Sequence, residues 1–362
     1  MSDQDQSGQL QRALQSAYSY GSPLRICGSG SKDFYAQVST GTVLSTTDHR
    51  GIVDYQPGEL TLTARAGTPL RDIDAALAGQ GQMLSCEPPH FGPDATFGGM
   101  LASGLSGPRR PFGGSLADLV LGCRMLNGKG EMLRFGGKVM KNVAGYDLSR
   151  LLVGSLGCLG VILEATIRVQ PRPGAEQTFR FTVTPQAMAG FMNGLSVYGY
   201  PVSASCHDGE ALLVRFSAGE QEIATLRAAL QKQFAPAAPE PVAEQAYWEA
   251  LREHRHPFFQ TQQNLWRLSL APNTPIPDLP GEILYEWNGA LRWLRSAVSP
   301  EDVFAAMAAC QGSASLFKAA TEQFAGPRFQ PLSPALLNWH KNLKLAFDPG
   351  RILNRGRMYQ EF

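Results

Sequence analysis

The stretch that most constrains this chain is residues 92–114, GPDATFGGMLASGLSGPRRPFGG. Sixteen of the 38 glycines lie between Gly92 and Gly160. Glycine costs roughly 0.5–1 kcal/mol relative to alanine inside a regular element, so a run this dense needs a use for bare backbone. Two uses stand open. One is close approach to a ligand whose phosphates meet N–H groups at turns and helix starts; the other is a tight loop cluster packed against a sheet. Pro93 and Asp94 open a turn, and Thr96 is placed to cap a short helix whose first turn, Gly98-Gly99, carries no side chain.

A chain of 362 residues holds one large or two medium domains with ample core. Its net charge of +1 argues against nucleic acid as a partner. No window approaches the roughly 20 apolar residues of a membrane helix. The opening MSDQDQSGQLQ lacks a basic-then-apolar signal pattern, so the expected location is cytoplasmic. The six cysteines are spread too widely for a zinc ribbon or an iron–sulfur motif and read as reduced, buried residues. The one close histidine pair, His254 and His256, would point apart on a helix, so no metal site is expected.

In order along the chain, 8–20 has helical spacing and LRIC (24–27) is a short strand followed by GSGSKD (28–33), an order that suits an anion. Ser29 and Lys32 have the Ser-x-x-Lys spacing of penicillin-binding enzymes without the companion motifs. GCRMLNGKG (122–130) has the wrong spacing for a phosphate loop, and its Asn127-Gly128 reads as a type I′ hairpin turn. LTLTARAG (60–67) reads as a half-buried strand, and Thr68-Pro69 caps a helix ending near Gly79. A later strand puts Leu159, Val161, Leu163, Ala165, Ile167 and Val169 on one face. No Gly-x-Gly-x-x-Gly stands between a strand and a helix, so a classical dinucleotide fold is not supported.

From Gln177 the glycines thin out. Strands at 178–184, 201–206 and 211–217 alternate with helices at 185–197 and 220–233. Two aromatic strands follow, LWRLSLA (265–271) and ILYEWNGALRWL (283–294), and then a helix at 300–310. This is an α+β unit with the look of a split βαβ, ferredoxin-like sandwich. FDPGRILNRGRMY (347–359) returns to the turn-rich manner of the first half. The expected division is 1–172, 173–340 and a C-terminal segment 341–362 that returns to the first domain.

RICGSGSK (25–32), LTARAGTPLRDIDAAL (62–77), PDATFGGMLASGLSG (93–107), KNVAGYDLSRLLVGSLGCLGVI (141–162) and the tail together resemble the FAD-binding domain of the vanillyl-alcohol oxidase/p-cresol methylhydroxylase (PCMH-type) superfamily. REHRHPFF (252–259), LWRLSLAP (265–272) and EWNGALRWL (286–294) are similar to the shorter FAD-binding subunit of glycolate dehydrogenases, also called glycolate oxidases. The resemblance implies FAD between two α+β subdomains, under an α+β cap. It implies that Gly28, Ser29, Gly30 and Ser31 meet the pyrophosphate. It further implies that Thr96, Gly98, Gly99, Ala102, Ser103 and Gly104 line pyrophosphate and flavin, that Gly154, Gly157, Gly160 and Ile162 approach the adenine-ribose end, and that Asn354 reaches the flavin. Ser31 stands where covalent relatives carry histidine, which implies non-covalent FAD. The resemblance also implies a larger homologous FAD subunit and an iron–sulfur subunit as partners, peripheral membrane contact through them, and a small 2-hydroxy acid as substrate. The string Cys206-His207-Asp208-Gly209 lacks the His-x-x-Asp-Gly-x-x-His spacing of the larger catalytic relatives.

For the substrate carboxylate an arginine fork is needed, and Arg267, Arg292 and Arg109 are candidates, with His256 or Glu286 as base. Trp248, Trp266, Trp287 and Trp293 are read either as a partner-facing surface or as cap packing. The expected function is that of an FAD-binding subunit of a multi-subunit glycolate (D-2-hydroxyacid) dehydrogenase that oxidises glycolate to glyoxylate; the alternative is an FAD-containing structural or electron-relay subunit without substrate turnover of its own.

Overall fold

The computed structural model describes residues 4–137, 148–242, 245–275, 278–321, 324 and 326–362. KNVAGYD (141–147) lies outside the described residues. The chain divides into two compact units: Met1–Ser106 with Gly114–Pro171 and Leu332–Phe362, and Gly107–Gly113 with Arg172–Pro331. The C-terminal return therefore begins earlier than position 341, because the whole helix Pro334–Phe347 packs in the first unit through Lys344 and Phe347.

In the first unit, Leu24–Cys27 pairs in parallel with Thr42–Ser45, and the tail touches this pair through a single parallel bridge between Leu24 and Leu353. Leu10, Leu14 and Ala17 of the helix Ser7–Tyr20 bury against this layer. The rest is a five-stranded antiparallel sheet, in the order Ile52–Gln56, Thr61–Arg65, Val161–Arg168, Val120–Leu126, Met132–Gly136. Thr61–Arg65 is buried on both faces rather than one. Its helix starts at Leu70 with Pro69 as the cap residue, while Thr68 hydrogen-bonds Gly51.

Two sequence expectations fail here for reasons of register. A bulge between Arg124 and Met125 shifts the pairing of Val161–Arg168, so Val161 and Leu163 join the first layer's core while Ala165 and Ile167 join the second. The Val120–Leu126/Met132–Gly136 hairpin is closed by five residues, not a two-residue I′ turn. Asn127 Oδ1 accepts from Lys129 N and Glu131 N, and the left-handed residue is Gly130 (φ 77°). Gly128 is used otherwise: an added Cβ would lie 2.3 Å from Asp348 Oδ1.

The second unit is an eight-stranded antiparallel sheet. Its first half runs Ala175–Phe181, helix Met188–Val197, Val202–His207, Leu212–Ala218, helix Glu220–Gln233, Glu240–Val242. The spatial order, with the fourth strand beside the first and the third beside that, is ferredoxin-like. The second half, Asn264–Ser269, Glu282–Glu286, Leu291–Ser296 and Ser313–Lys318, continues the same sheet. Residues 283–294 are thus not one strand. Trp287 (φ 54°), Asn288 (φ 59°) and Gly289 (φ 90°) turn the chain back, with Asn288 N donating to Ser205 Oγ. One face packs on helices through Phe179, Phe181, Val214 and Phe216, and through Trp266, Leu268, Val303 and Met307.

Candidate functional site

A cleft in the first unit is lined by Gly28, Ser29, Gly30, Ser31, Thr96, Gly98, Gly99, Ala102, Ser103, Gly157, Gly160, Ile162 and Asn354. Among the described residues, the N–H groups of Gly28, Ser29, Gly30 and Ser31 take no hydrogen-bond partner. Four consecutive donors without a protein partner, bordering a cleft, form an anion cradle. Gly30 has φ 79°, and a Cβ on Gly28 would lie 2.4 Å from Thr96 Oγ1, so side chains are excluded from the loop's floor. The donor set and this bare floor fit the pyrophosphate of FAD.

The short helix Phe97–Ser103 contributes surface rather than donors. Thr96 Oγ1 caps it by accepting from Gly99 N, and Gly98 N donates to Ala66 O. Gly98 is needed for packing, since its Cβ would lie 2.7 Å from that of Ala66. Gly104 and Gly154 do not line the cleft: they lie against one another, with a Cβ on Gly104 only 2.9 Å from the Gly154 backbone. Their glycines serve close backbone approach.

Lys32 and Asp33, within the stretch that suited an anion, also line the cleft, as do Thr46 and Arg357, which sequence reasoning missed. Asn354 reaches it as a clip: its Oδ1 accepts from Ile26 N at 2.7 Å and its Nδ2 donates to Leu156 O at 2.6 Å. The tail is anchored by Lys344 and Asp348, fully buried and 2.8 Å apart. Lys344 Nζ also donates to Cys158 O and Leu353 O, and Asp348 accepts from Ile352 N and Leu353 N. Only long-range folding brings these groups together. The signal that could have found Arg357 was its place three residues after Asn354.

The second unit's candidate catalysts part company. Register puts Arg292 opposite Tyr285 and Leu268, on the helix-packed face; Glu286, Trp293 and Arg267 lie on the other. Arg292 cannot share a site with them. Its buried guanidinium donates to the carbonyls of Gly289, Thr274 and Pro275, which ties Thr274 and Pro275 to the turn at 287–289. Arg109 is paired with Glu176 and Ser217. Burial would raise the Glu176 carboxyl, but Arg215, Ser217 and Arg109 outweigh it and hold the carboxyl below its usual range.

Glu286 is buried, its Oε2 accepting from Trp293 Nε1 at 2.7 Å. His256 lies beyond the helix Gln245–Arg252, accepts from Phe258 N, and is shifted down by burial. His254 stacks on Phe259 at 3.8 Å and meets Trp293; burial, with Lys318 and Arg267 adding, pushes it down to about 3. Both ring nitrogens of His207 are engaged, with Gly209 N and Val183 O. Arg267 differs. It is half-buried, lies over the Trp287 ring at 5.3 Å, reaches Ser269 Oγ, and meets no carboxylate among the described residues. The four tryptophans are all buried, so they pack the cap and present no partner surface. Among the described residues no His/Cys/Asp/Glu group could hold a metal ion, and no helix is long and apolar enough to cross a membrane.

Residues 5–136 match the sequence profile of an FAD binding domain. The chain is 46% identical over 357 residues to the glycolate oxidase subunit GlcE of Escherichia coli (strain K12), covering 99% of this chain and 98% of that protein. Glycolate oxidase subunit GlcD of Bacillus subtilis (strain 168) is 32% identical over 158 residues, 44% of this chain and 32% of that one. The crystal structure of p-cresol methylhydroxylase with substrate bound superposes with a TM-score of 0.70 at 12% identity, over 98% of this chain and 88% of that one. That likeness shows the fold.

Proposed function

The chain belongs to the GlcE family of FAD-binding glycolate oxidase subunits, and on that premise we propose that it is the FAD-carrying subunit of a multi-subunit 2-hydroxyacid dehydrogenase that takes glycolate to glyoxylate. The observation that carries the reading is the cradle of four unpartnered N–H groups at residues 28–31. When bound, FAD supplies the two-electron acceptor for hydride from the substrate's α-carbon. Gly28 to Ser31 would hold the cofactor's anionic centre, with Gly98, Gly99, Ala102 and Ser103 lining the cleft beside it. In this reading FAD is non-covalent, Ser31 offering no ring nitrogen for attachment.

Arg267 is the residue assigned to the substrate carboxylate, since it is the arginine of the three candidates left without a structural partner of opposite charge or a full set of carbonyls. Hydroxyl deprotonation then falls to Glu286 or His256. A specific observation favours the second reading, an electron-relay subunit: the Glu286 carboxylate is already committed to Trp293. In that reading a larger homologous flavin subunit does the substrate chemistry, an iron–sulfur subunit carries electrons away, and any membrane contact is peripheral and made through them.

The experiment is anaerobic addition of glycolate to the purified yellow chain, alone and with its partners, followed by flavin absorbance. Bleaching of the isolated chain, lost in Arg267→Met, supports direct oxidation. Flavin that stays oxidised alone and bleaches only with partners supports the relay.

A further inference from the structure

The loop that presents the four free N–H groups is gripped at both ends by the C-terminal tail. Upstream, Ile26 N donates to Asn354 Oδ1. Downstream, Arg357 Nη2 donates to Asp33 Oδ1 at 3.2 Å, while its Nη1 donates to Gln37 O at 3.1 Å. Asp33 in turn closes the loop, its N–H donating to Gly30 O at 3.0 Å, and its second carboxylate oxygen faces Arg25 at 3.5 Å. A loop of two glycines and two serines has no stiffness of its own, and holding it in one shape costs conformational entropy at every residue. Unless something fixes it beforehand, that cost falls on cofactor binding. Arg357 is buried, whereas Asp33 and Arg25 are partly exposed. An exposed pair alone stabilises little, so the buried guanidinium with its two-pronged hold is the fixed point.

We propose that Arg357 is a positioning residue for FAD: acting through Asp33, it pre-shapes the Gly28–Ser31 cradle, so that tail docking and cofactor retention are one equilibrium. The tail is then the cofactor's latch. FAD stays while residues 352–357 are seated beside Leu24–Cys27, and leaves when they lift. The inference rests on FAD lying in this cleft but not on which subunit oxidises substrate.

The test uses the full chain, stripped of flavin and titrated with FAD. Arg357→Met should raise the FAD Kd about 10–100-fold, the range for loss of charged hydrogen bonds. Arg357→Lys, which keeps the charge and loses the fork, should fall between. Asp33→Asn should weaken binding too, and the double variant should be no worse than Arg357→Met, because the two act as a unit. The readout that a general loss of stability would not move is the ³¹P spectrum of bound FAD. Its pyrophosphate resonances should shift in Arg357→Met while the flavin absorption envelope stays. If Arg357→Met does not fold, Asp33→Asn carries the same two readouts. FAD binding within about twofold of the parent, additive losses in the double variant, or unmoved ³¹P resonances at reduced affinity would each overturn the proposal. Absence of any FAD binding by the parent chain would instead strike at the cleft assignment itself.

Discussion

In the first unit, the loop at residues 28–31 leaves its N–H groups without partners and the floor beneath it without side chains. In the second unit four polar side chains that could serve chemistry are taken: Arg292 by three carbonyls, Glu286 by Trp293, Arg109 by Glu176, and His207 by Val183 and Gly209. The first arrangement leaves its hydrogen-bonding capacity to a ligand. The second has used that capacity to fold. A chain can therefore bind flavin fully while its own acid–base chemistry is poor, since a positioned base is typically worth about 10²–10⁴-fold. Arg267 is the exception on the cap, and the comparison turns on it.

The largest expected effect strikes the frame of the cleft. Lys344→Met leaves Asp348 buried and unpaired, which should cost about 3–5 kcal/mol. Thermal unfolding should show a large fall in Tm, with flavin released early in the melt. Lys344→Met combined with Asp348→Leu should regain part of the loss; a double variant as poor as the single one would mean that the pair is not what holds the tail. Next comes the cradle itself. In Gly99→Val the new side chain enters a position whose nearest neighbour is Thr96 Oγ1 at 3.0 Å, on the cleft wall. Flavin content should collapse while circular dichroism stays near the parent's, and a normally yellow variant would remove this helix from the cofactor's path. Acid precipitation of the parent should leave a colourless pellet; flavin retained there would show a covalent link. On the cap, Arg292→Met should cost stability of about 1–3 kcal/mol through three orphaned carbonyls and leave flavin content alone.

The sequence was most legible where backbone did the work. Glycine density and the strand–glycine–serine order at 24–31 placed the cradle because only bare backbone tolerates those contacts. Gly104 and Gly154 carried the same signal for another reason, mutual packing, and spacing cannot separate the two. Register was illegible: the bulge at Arg124/Met125 moves Val161 and Leu163 into a different core, and the 287–289 turn sends Arg292 and Glu286 to opposite faces. Strand periodicity predicts alternation only as far as the next bulge or turn. Arg357 and Asp33 were hidden because their meaning is a contact across 324 residues.

The smallest effect concerns how the cap keeps its unused groups neutral. His254 sits in a left-handed conformation (φ 52°), stacked on Phe259 and edge-on to Trp293, with its pKa pushed down to about 3. An unfolded histidine titrates near 6.5. The folded state thus binds fewer protons than the unfolded one between about pH 6.5 and 3, and stability rises with pH across that window. Acidification from pH 7 to 5 should therefore weaken the cap, with a slope of at most about 1.4 kcal/mol per pH unit from this group. His254→Asn cannot titrate and tolerates the left-handed backbone, though it gives up the ring stack. Its absolute stability should be lower and its pH slope flatter. His49 in the first unit, held down to about 4, and His256 contribute in both proteins and cancel in the difference. Equal slopes for parent and variant in chemical denaturation at pH 7, 6 and 5 would mean that His254 is solvated, and that the cap's aromatic face is more open to water than its packing implies.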